Sequence, residues 1–188
     1  MAIDESIFKD FPVLKSKRLT MRSIQAVDAV EIFNMRRNKR VNQFMVRPEM
    51  DAIETAEKLV EKVDEMYRSK NGIGWAGILR DGERIIGTCG YNSIDHPNHR
   101  AEIGGEMSTE FWGKHIAMEA VTEILRFGLG RMGLHTIEAK VMPGNRGAIF
   151  LLEHFGFKKE AHYRDRVHDN GKYRDLAVYT LLNGEETF

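Results

Sequence analysis

From Arg18 to Ser23 (RLTMRS) apolar and polar side chains alternate with a period of two, which predicts a β-strand. The spacing then becomes helical over 25–37, through Ala26, Val30, Ile32 and Phe33, and a loop, VNQFMVRP, closes at Pro48. Asp51 is placed to cap a long amphipathic helix to about Ser69, with apolar positions at Ile53, Ala56, Leu59, Val60, Val63, Met66 and Tyr67. Asn71-Gly72 ends it. Trp75 to Leu79, the turn pair Asp81-Gly82, and Arg84 to Asn92 read as a β-hairpin. After DHPNHR comes a strand from Ala101 to Met107, then helical spacing from Lys114 to Arg131. Thr136 to Met142 is a strand stopped by Pro143-Gly144. Asn145 can cap a short helix through His154, with Gly156 where a left-handed C-terminal glycine belongs. Two strand-like runs flank Asp169-Asn170-Gly171, the second ending at Leu182.

Three consecutive strands with hairpin-length connections imply antiparallel pairing, and the later strand-helix-strand crossing needs a parallel neighbour. The expected class is α/β (α+β): a mixed, mostly antiparallel twisted sheet with helices on both faces. No repeat, low-complexity tract or linker divides the chain, so residues 1–188 are expected to form one domain.

Composition narrows the function. With 42% hydrophobic and 30% charged residues the chain is globular, and no stretch approaches the ~18 apolar residues of a membrane helix. The opening MAIDESIFKDF is acidic and polar, unlike a secretory signal, and the single cysteine, Cys89, excludes an internal disulfide. Both features suit a cytoplasmic location. Lys+Arg and Asp+Glu are 28 each, so no basic field is available to grip nucleic acid or an anionic membrane. A small molecule or a peptide is the better substrate class.

Two glycine patterns, GIGWAG at 72–77 and GLGRMG at 128–133, match G-x-G-x-x-G. A dinucleotide fingerprint needs a strand before and a helix after the glycines. Here the first match leaves a helix for a strand and the second ends a helix, so neither presents a helix N-terminus to a pyrophosphate. His96 and His99 lack a third ligand at useful spacing, and no metal is expected. Cys89, within IIGTCGY, has no adjacent base and reads as an inert buried thiol.

The informative stretch is 101–157. The loop Trp112-Gly-Lys-His-Ile-Ala117 feeds directly into a helix, where unpaired N–H groups and the positive end of the helix dipole favour an anion. This stretch resembles the acetyl-CoA-binding core of GNAT-superfamily N-acetyltransferases. The resemblance is carried by AEIG at 101–104, by FWGKHIAMEA at 111–120, and by GLHTIEAKV and NRGAIFLLEHFGF further on. Arg18-Leu19, Met21-Arg22 and Asp28 are similar to the family's opening strand and helix. Arg164-Asp165, Asn170-Gly171 and Asp175 are similar to its closing hairpin. Within the superfamily the chain resembles the ribosomal-protein N-terminal (serine/alanine) acetyltransferase branch.

That resemblance implies a fold with a splay between two central parallel strands, and acetyl-CoA as cosubstrate. It places the pyrophosphate on Trp112, Gly113, Lys114, His115, Ile116, Ala117 and Met118. The pantetheine and acetyl group would meet the backbone of Met107, Ser108 and Thr109, with Asn145, Ala148 and Leu152 along the arm. A family β-bulge near Glu106 and Met107 would free an N–H to polarise the thioester carbonyl. Two positions depart from the pattern. His115 replaces a loop glycine, which right-handed helical dihedrals would tolerate with the ring turned from the phosphates; alternatively the ring donates to a phosphate oxygen. Leu152 stands where many members have tyrosine; leucine is common in the N-terminal branch, but it supplies no proton.

The reaction implied is direct attack of a neutral amine on the thioester. An α-amino group near pKa 7.7–8.0 costs roughly 1 kcal/mol to deprotonate at pH 7, and a lysine near ~10.4 costs about 4.6 kcal/mol. A water-relayed carboxylate base serves the first more easily. Glu102 matches the family motif and Glu106 is the alternative; in an unbroken strand both share one face. Tyr91, Ser93 and Tyr163 are candidates for lining the acceptor site. A protein N-terminus is the leading acceptor. A polyamine, amino acid or aminoglycoside is the second, suggested by Asp95, Glu102, Glu106 and Glu110. A non-catalytic acyl-CoA-binding module is the third. The resemblance leaves room for a homodimer.

Overall fold

The computed structural model describes residues 3–169 and 171–188; Asn170, in the expected Asp169-Asn170-Gly171 turn, lies outside the described residues. The strands are Leu14–Lys15 (β1), Leu19–Ser23 (β2), Ile73–Leu79 (β3), Ile85–Asp95 (β4), Arg100–Met107 (β5), Thr136–Val141 (β6), Lys158–Asp169 (β7) and Lys172–Leu182 (β8). Among the described residues they build an eight-stranded sheet in the order β1-β2-β3-β4-β5-β6-β8-β7. β5 and β6 run parallel, and the other neighbours are antiparallel. The α-helices are Ala29–Arg37 (α1), Lys39–Asn42 (α2), Ile53–Arg68 (α3), Ile116–Arg126 (α4) and Arg146–His154 (α5). No helix among the described residues is long and apolar enough to cross a membrane.

Strand alternation sorts the side chains into two layers. On one face Trp75, Tyr91, Ile103 and Ile137 join Ile124 and Leu125 of α4 and Leu152 of α5 in the largest core cluster. On the other, Ala76 and Ile85 meet Ala29 and Ile32 of α1 and Ala56 and Val60 of α3. The helices α4 and α5 therefore cover one side of the sheet, and α1 and α3 the other.

The structure corrects several expected boundaries. Residues 25–37 do not form one α-helix. Gln25 and Asp28 make a reciprocal capping box around the 3-10 turn Ala26–Asp28, which tightens the entry to α1. Asp28 is buried and held by both terminal nitrogens of Arg22, at 2.6 and 2.8 Å. The loop after α1 contains α2, whose single turn is too short to show a period; Asn38 caps it by accepting from the Arg40 amide at 2.9 Å. The residue before α3 is Ala52 in extended conformation without a side-chain cap, so Asp51 does not cap this helix.

The helix expected to reach Arg131 is α-helical only to Arg126 and widens to a π-helix over Phe127–Met132. The cause lies on β4. The Tyr91 hydroxyl donates to the Ile124 carbonyl at 2.8 Å, the acceptor that the Gly128 amide would use in an unbroken α-helix. Gly128 leaves room for this insertion, because a Cβ there would overlap the Tyr91 hydroxyl.

Alanine is the stronger helix former, so Gly128→Ala on an unconstrained helix would stabilise. Against the buried tyrosine it is expected instead to cost about 1–3 kcal/mol, the range for overpacking a core, read from the urea midpoint at unchanged slope.

Candidate active site

β5 and β6 are in register over only three positions, Arg100, Ala101 and Glu102 against Thr136, Ile137 and Glu138. Beyond this point β5 continues along β4 to Met107, and β6 continues along β8 to Val141. The two strands therefore part, each holding its outer partner and presenting an unpaired inner edge across a gap. Such edges need hydrogen-bonding partners, and an extended, amide-bearing chain can supply them. The expected bulge at Glu106 and Met107 is absent: Thr88 and Gly87 face these residues in regular register. The irregularity falls at Asn92 on β4, the extra residue between Tyr91 and Ser93. Free N–H groups on β5 thus come from the departure of β6, and no bulge is required.

After β5 the chain makes a 3-10 turn, Thr109–Phe111. This turn consumes much of the main chain expected to contact the acyl arm. The Ser108 amide donates to the Ile86 carbonyl at 2.9 Å, and the Ser108 and Thr109 carbonyls accept from Phe111 and Trp112 at 3.0 and 3.3 Å. The Trp112 indole N–H donates to the Met107 carbonyl at 2.8 Å. The β5 backbone without a β6 partner is the stretch after Glu102. The Trp112 amide is spent on the Thr109 carbonyl, which leaves the segment from Gly113 to Met118 as the entry to α4. Its amides open α4 without a side-chain cap. Gly113 has φ +71°, and nothing lies within 4 Å of where its Cβ would be, so the backbone there can be approached closely. Lys114 lies with its ammonium 5.5 Å from the Phe111 ring centre.

His115 does not have right-handed helical dihedrals. It is the N-terminal boundary residue of α4 at φ 57°, ψ 18°, the left-handed region that favours glycine, and its Nδ1 lies 3.2 Å from the Met118 sulfur. The first turn of α4 is tied to the sheet by Glu119, which accepts from the Ser16 hydroxyl at 2.7 Å and from the Arg18 amide at 2.9 Å. Burial works to raise the Glu119 pKa, but these bonds and the Arg18 guanidinium outweigh it, and the carboxyl sits below its ordinary value.

Glu102 and Glu106 share a face of β5, the one turned toward α1, but their surroundings differ. The Glu106 carboxylate is 3% exposed and held by two guanidiniums, Arg36 at 2.6 Å on Oε1 and Arg47 at 2.5 Å on Oε2. Arg47 also donates to the Asn42 Oδ1 at 2.9 and 2.6 Å, and the Asn42 amide donates to the Arg36 carbonyl. The result is a closed polar ring joining α1, α2, the segment before Pro48 and β5. Oε1 accepts a hydrogen bond from Arg36, whereas Oε2 is buried against Arg47 as an ion pair without a hydrogen bond, so the carboxylate is shut away from solvent by two guanidiniums. Glu102 stands at the fork, the last β5 residue in register with β6, and its Oε2 accepts from Lys140 at 2.5 Å. The other carboxylates expected to make an acidic cleft are also paired, Asp95 with Arg100 at 3.0 Å and Glu110 with Arg84 at 3.2 Å.

Of the acceptor candidates, Ser93 is exposed and pairs with Glu102 across β4 and β5. Tyr91 is not at a substrate surface: it is 0% exposed and belongs to the core beneath α4. Tyr163 is exposed on β7, opposite Leu176, with the Arg166 guanidinium 5.3 Å over its ring. Asn145 caps α5 by accepting from the Ala148 amide at 3.1 Å, and Leu152 is buried in the main core cluster. Burial pushes the Cys89 thiol up to about 12, so it stays protonated. Among the described residues no group of three or more His, Cys, Asp or Glu could hold a metal ion. Sequence reasoning missed Arg36, Asn42, Arg47 and Lys140, because the spacing of single cations and an amide gives no sign of which distant carboxylate they meet.

A gap between parting parallel strands, next to an uncapped helix N-terminus, fits a ligand with an amide-bearing arm and a phosphorylated end. The chain belongs to the GNAT acetyltransferase family: the model of the acetyltransferase (GNAT) domain matches residues 18–158. The N-acetyltransferase YoaA of Bacillus subtilis (strain 168), itself described as uncharacterised, is 33% identical over 94% of this chain and 99% of its own. The [ribosomal protein uS5]-alanine N-acetyltransferase of Escherichia coli (strain K12) is 28% identical over 66% of this chain and 65% of its own. The solved complex of RimL, the ribosomal L7/L12 alpha-N-protein acetyltransferase, with coenzyme A shares the fold at TM-score 0.84 and 17% identity, covering 91% of this chain and 98% of that one. The chain is an acetyl-CoA-dependent N-acetyltransferase of the GNAT type.

Two substitutions test the site's construction. Glu106→Ala leaves Arg36 and Arg47 largely buried without their anion and is expected to cost about 3 kcal/mol, read by chemical denaturation. His115→Gly removes a left-handed side chain worth about 1–2 kcal/mol of strain and adds about 0.5–1 kcal/mol of unfolded-chain entropy. The expected net is a small rise in the denaturation midpoint.

Proposed function

We propose that the acceptor is the α-amino group of a protein N-terminus. The observation that carries this reading is the neutralisation of the acceptor side. Asp95, Glu102, Glu106 and Glu110 each hold a Lys or Arg partner, leaving this group without a free negative charge to attract a polyamine. Cations beside an incoming amine disfavour its protonated form. That helps an α-amino group, already near neutrality at pH 7, and repels a polycation. The uS5-alanine relative acts on such an acceptor.

Acetyl-CoA supplies an activated acetyl thioester. Gly113 to Met118 would hold its diphosphate and the inner edges of β5 and β6 its arm. Glu102, at the fork and partly exposed, is the base, receiving the amine proton through water once Lys140 moves aside. Ser93, across from it, offers a hydroxyl to orient that water or the acceptor backbone. Tyr163 of β7 borders the acceptor side from the closing hairpin. The buried Leu152 brings no proton to the leaving thiol, whose ordinary pKa near ~8.5 makes the thiolate a competent leaving group unaided. Such an acceptor places the enzyme in the cytoplasm beside newly made chains.

A thiol-release assay with acetyl-CoA, run on N-terminal peptides and on polyamines, tests the acceptor class. Peptides are expected to turn over and polyamines not; the reverse rejects the proposal. Glu102→Gln is expected to lower kcat about 10²-fold or more with coenzyme affinity unchanged, the scale of a lost general base. An unaltered rate would remove Glu102 from the mechanism.

A further inference from the structure

The chain as a whole carries equal numbers of acidic and basic residues, yet residues 31–47 hold five basic side chains and one acidic. Arg36 and Arg47 are spent on Glu106. Arg37, Lys39 and Arg40 are exposed and have no carboxylate partner among the described residues. They surround Asn38, whose amide reaches the Thr109 hydroxyl at 3.4 Å and which lines a groove of about 160 Å³ between α1–α2 and the Ser108–Glu110 turn. The Glu106 ring fastens this basic turn to β5, on the sheet face that carries Glu102, whereas α4, with the diphosphate cradle, packs on the opposite face. Arg40, stacked 5.3 Å over Trp112, marks where the two sides meet.

We infer that Arg37 and Lys39 select the acceptor, and that the preferred acceptor is an N-terminal segment with acidic residues following the amino-terminal one. The inference rests on the reading of the acceptor as a protein N-terminus and adds its chemistry. The α1–α2 turn is anchored at Glu106 and Thr109, further along the same face of β5 from Glu102, so for a peptide with its amino group at Glu102 these cations lie within reach of the following residues only through the field they set up. Solvent-exposed cations there act through long-range attraction, which speeds encounter and is screened by salt. A basic N-terminal segment meets the same cations as a barrier.

The test uses the full chain, acetyl-CoA, and three peptide sets with serine or alanine first, followed by acidic, neutral amide or basic residues. The acidic set is expected to exceed the basic set about tenfold in kcat/KM at low salt, with the ratio shrinking as added salt shortens the screening length from about 30 Å to about 10 Å and below. Arg37→Glu combined with Lys39→Glu should invert the order, and Arg37→Gln with Lys39→Gln should flatten it. Thermal melting checks that each variant folds, and coenzyme A titration should give the wild-type Kd. Equal turnover of all three sets overturns the inference and leaves the N-terminal acceptor standing. A fall in coenzyme A affinity with unchanged peptide preference also overturns it, assigning these cations to the coenzyme phosphates. Turnover of polyamines alone would reject the N-terminal acceptor itself.

Discussion

The short ladder between β5 and β6 is the constraint from which the rest of the molecule takes its purpose. Three parallel pairs hold the strands together; then β5 stays with β4 while β6 stays with β8. Twist accumulates across a sheet, so two strands bound to diverging partners separate unless a continuous ladder prevents it. The extra residue Asn92 bends β4 beside the fork, and its side chain fills the space over Gly104, where a Cβ would collide with it. The gap is therefore a product of which partners each strand keeps. It leaves the inner-edge donors and acceptors of the two strands without a strand partner, and a substrate arm with amides can supply one.

The sheet face opposite α4 is organised by charge pairing. A buried carboxylate between two guanidiniums is weak evidence of stability as such, because desolvation offsets much of the attraction. Its value here is geometric: Glu106 brings α1, α2 and the segment before Pro48 to the strand that borders the gap. The same pairing decides the electrostatics. Carboxylates that look like a cluster in sequence are each matched by a cation in space, and the surplus charge near the site is positive.

Much of the fold was legible in the sequence, since alternation and helical spacing are local properties. The antiparallel β3–β5 run, the parallel crossover through α4 and the Asn145 cap of α5 follow from residues close together in the chain. The turn that opens α4 was legible for the same reason, since Trp112 to Ala117 lie next to one another in the chain. What was misplaced depended on distant partners. Tyr91 is a core residue because its hydroxyl finds the Ile124 carbonyl, and that bond also ends α4 early. His115 was expected to be right-handed if helical, but the turn from Trp112 into α4 forces a left-handed residue just before the helix begins.

By itself the sequence determined the class of sheet, the position of the turn that opens α4 and the pair of β5 carboxylates sharing one face. Periodicity and capping act within a few residues, so they survive being read along the chain. Only the tertiary structure decided which of the two carboxylates remains open to solvent. Arg36 and Arg47 lie about sixty to seventy residues before Glu106 and seal it, while Glu102 is left at the fork with Lys140. Long-range ion pairs are set by how helices dock on a sheet, and docking follows from packing that no local pattern encodes.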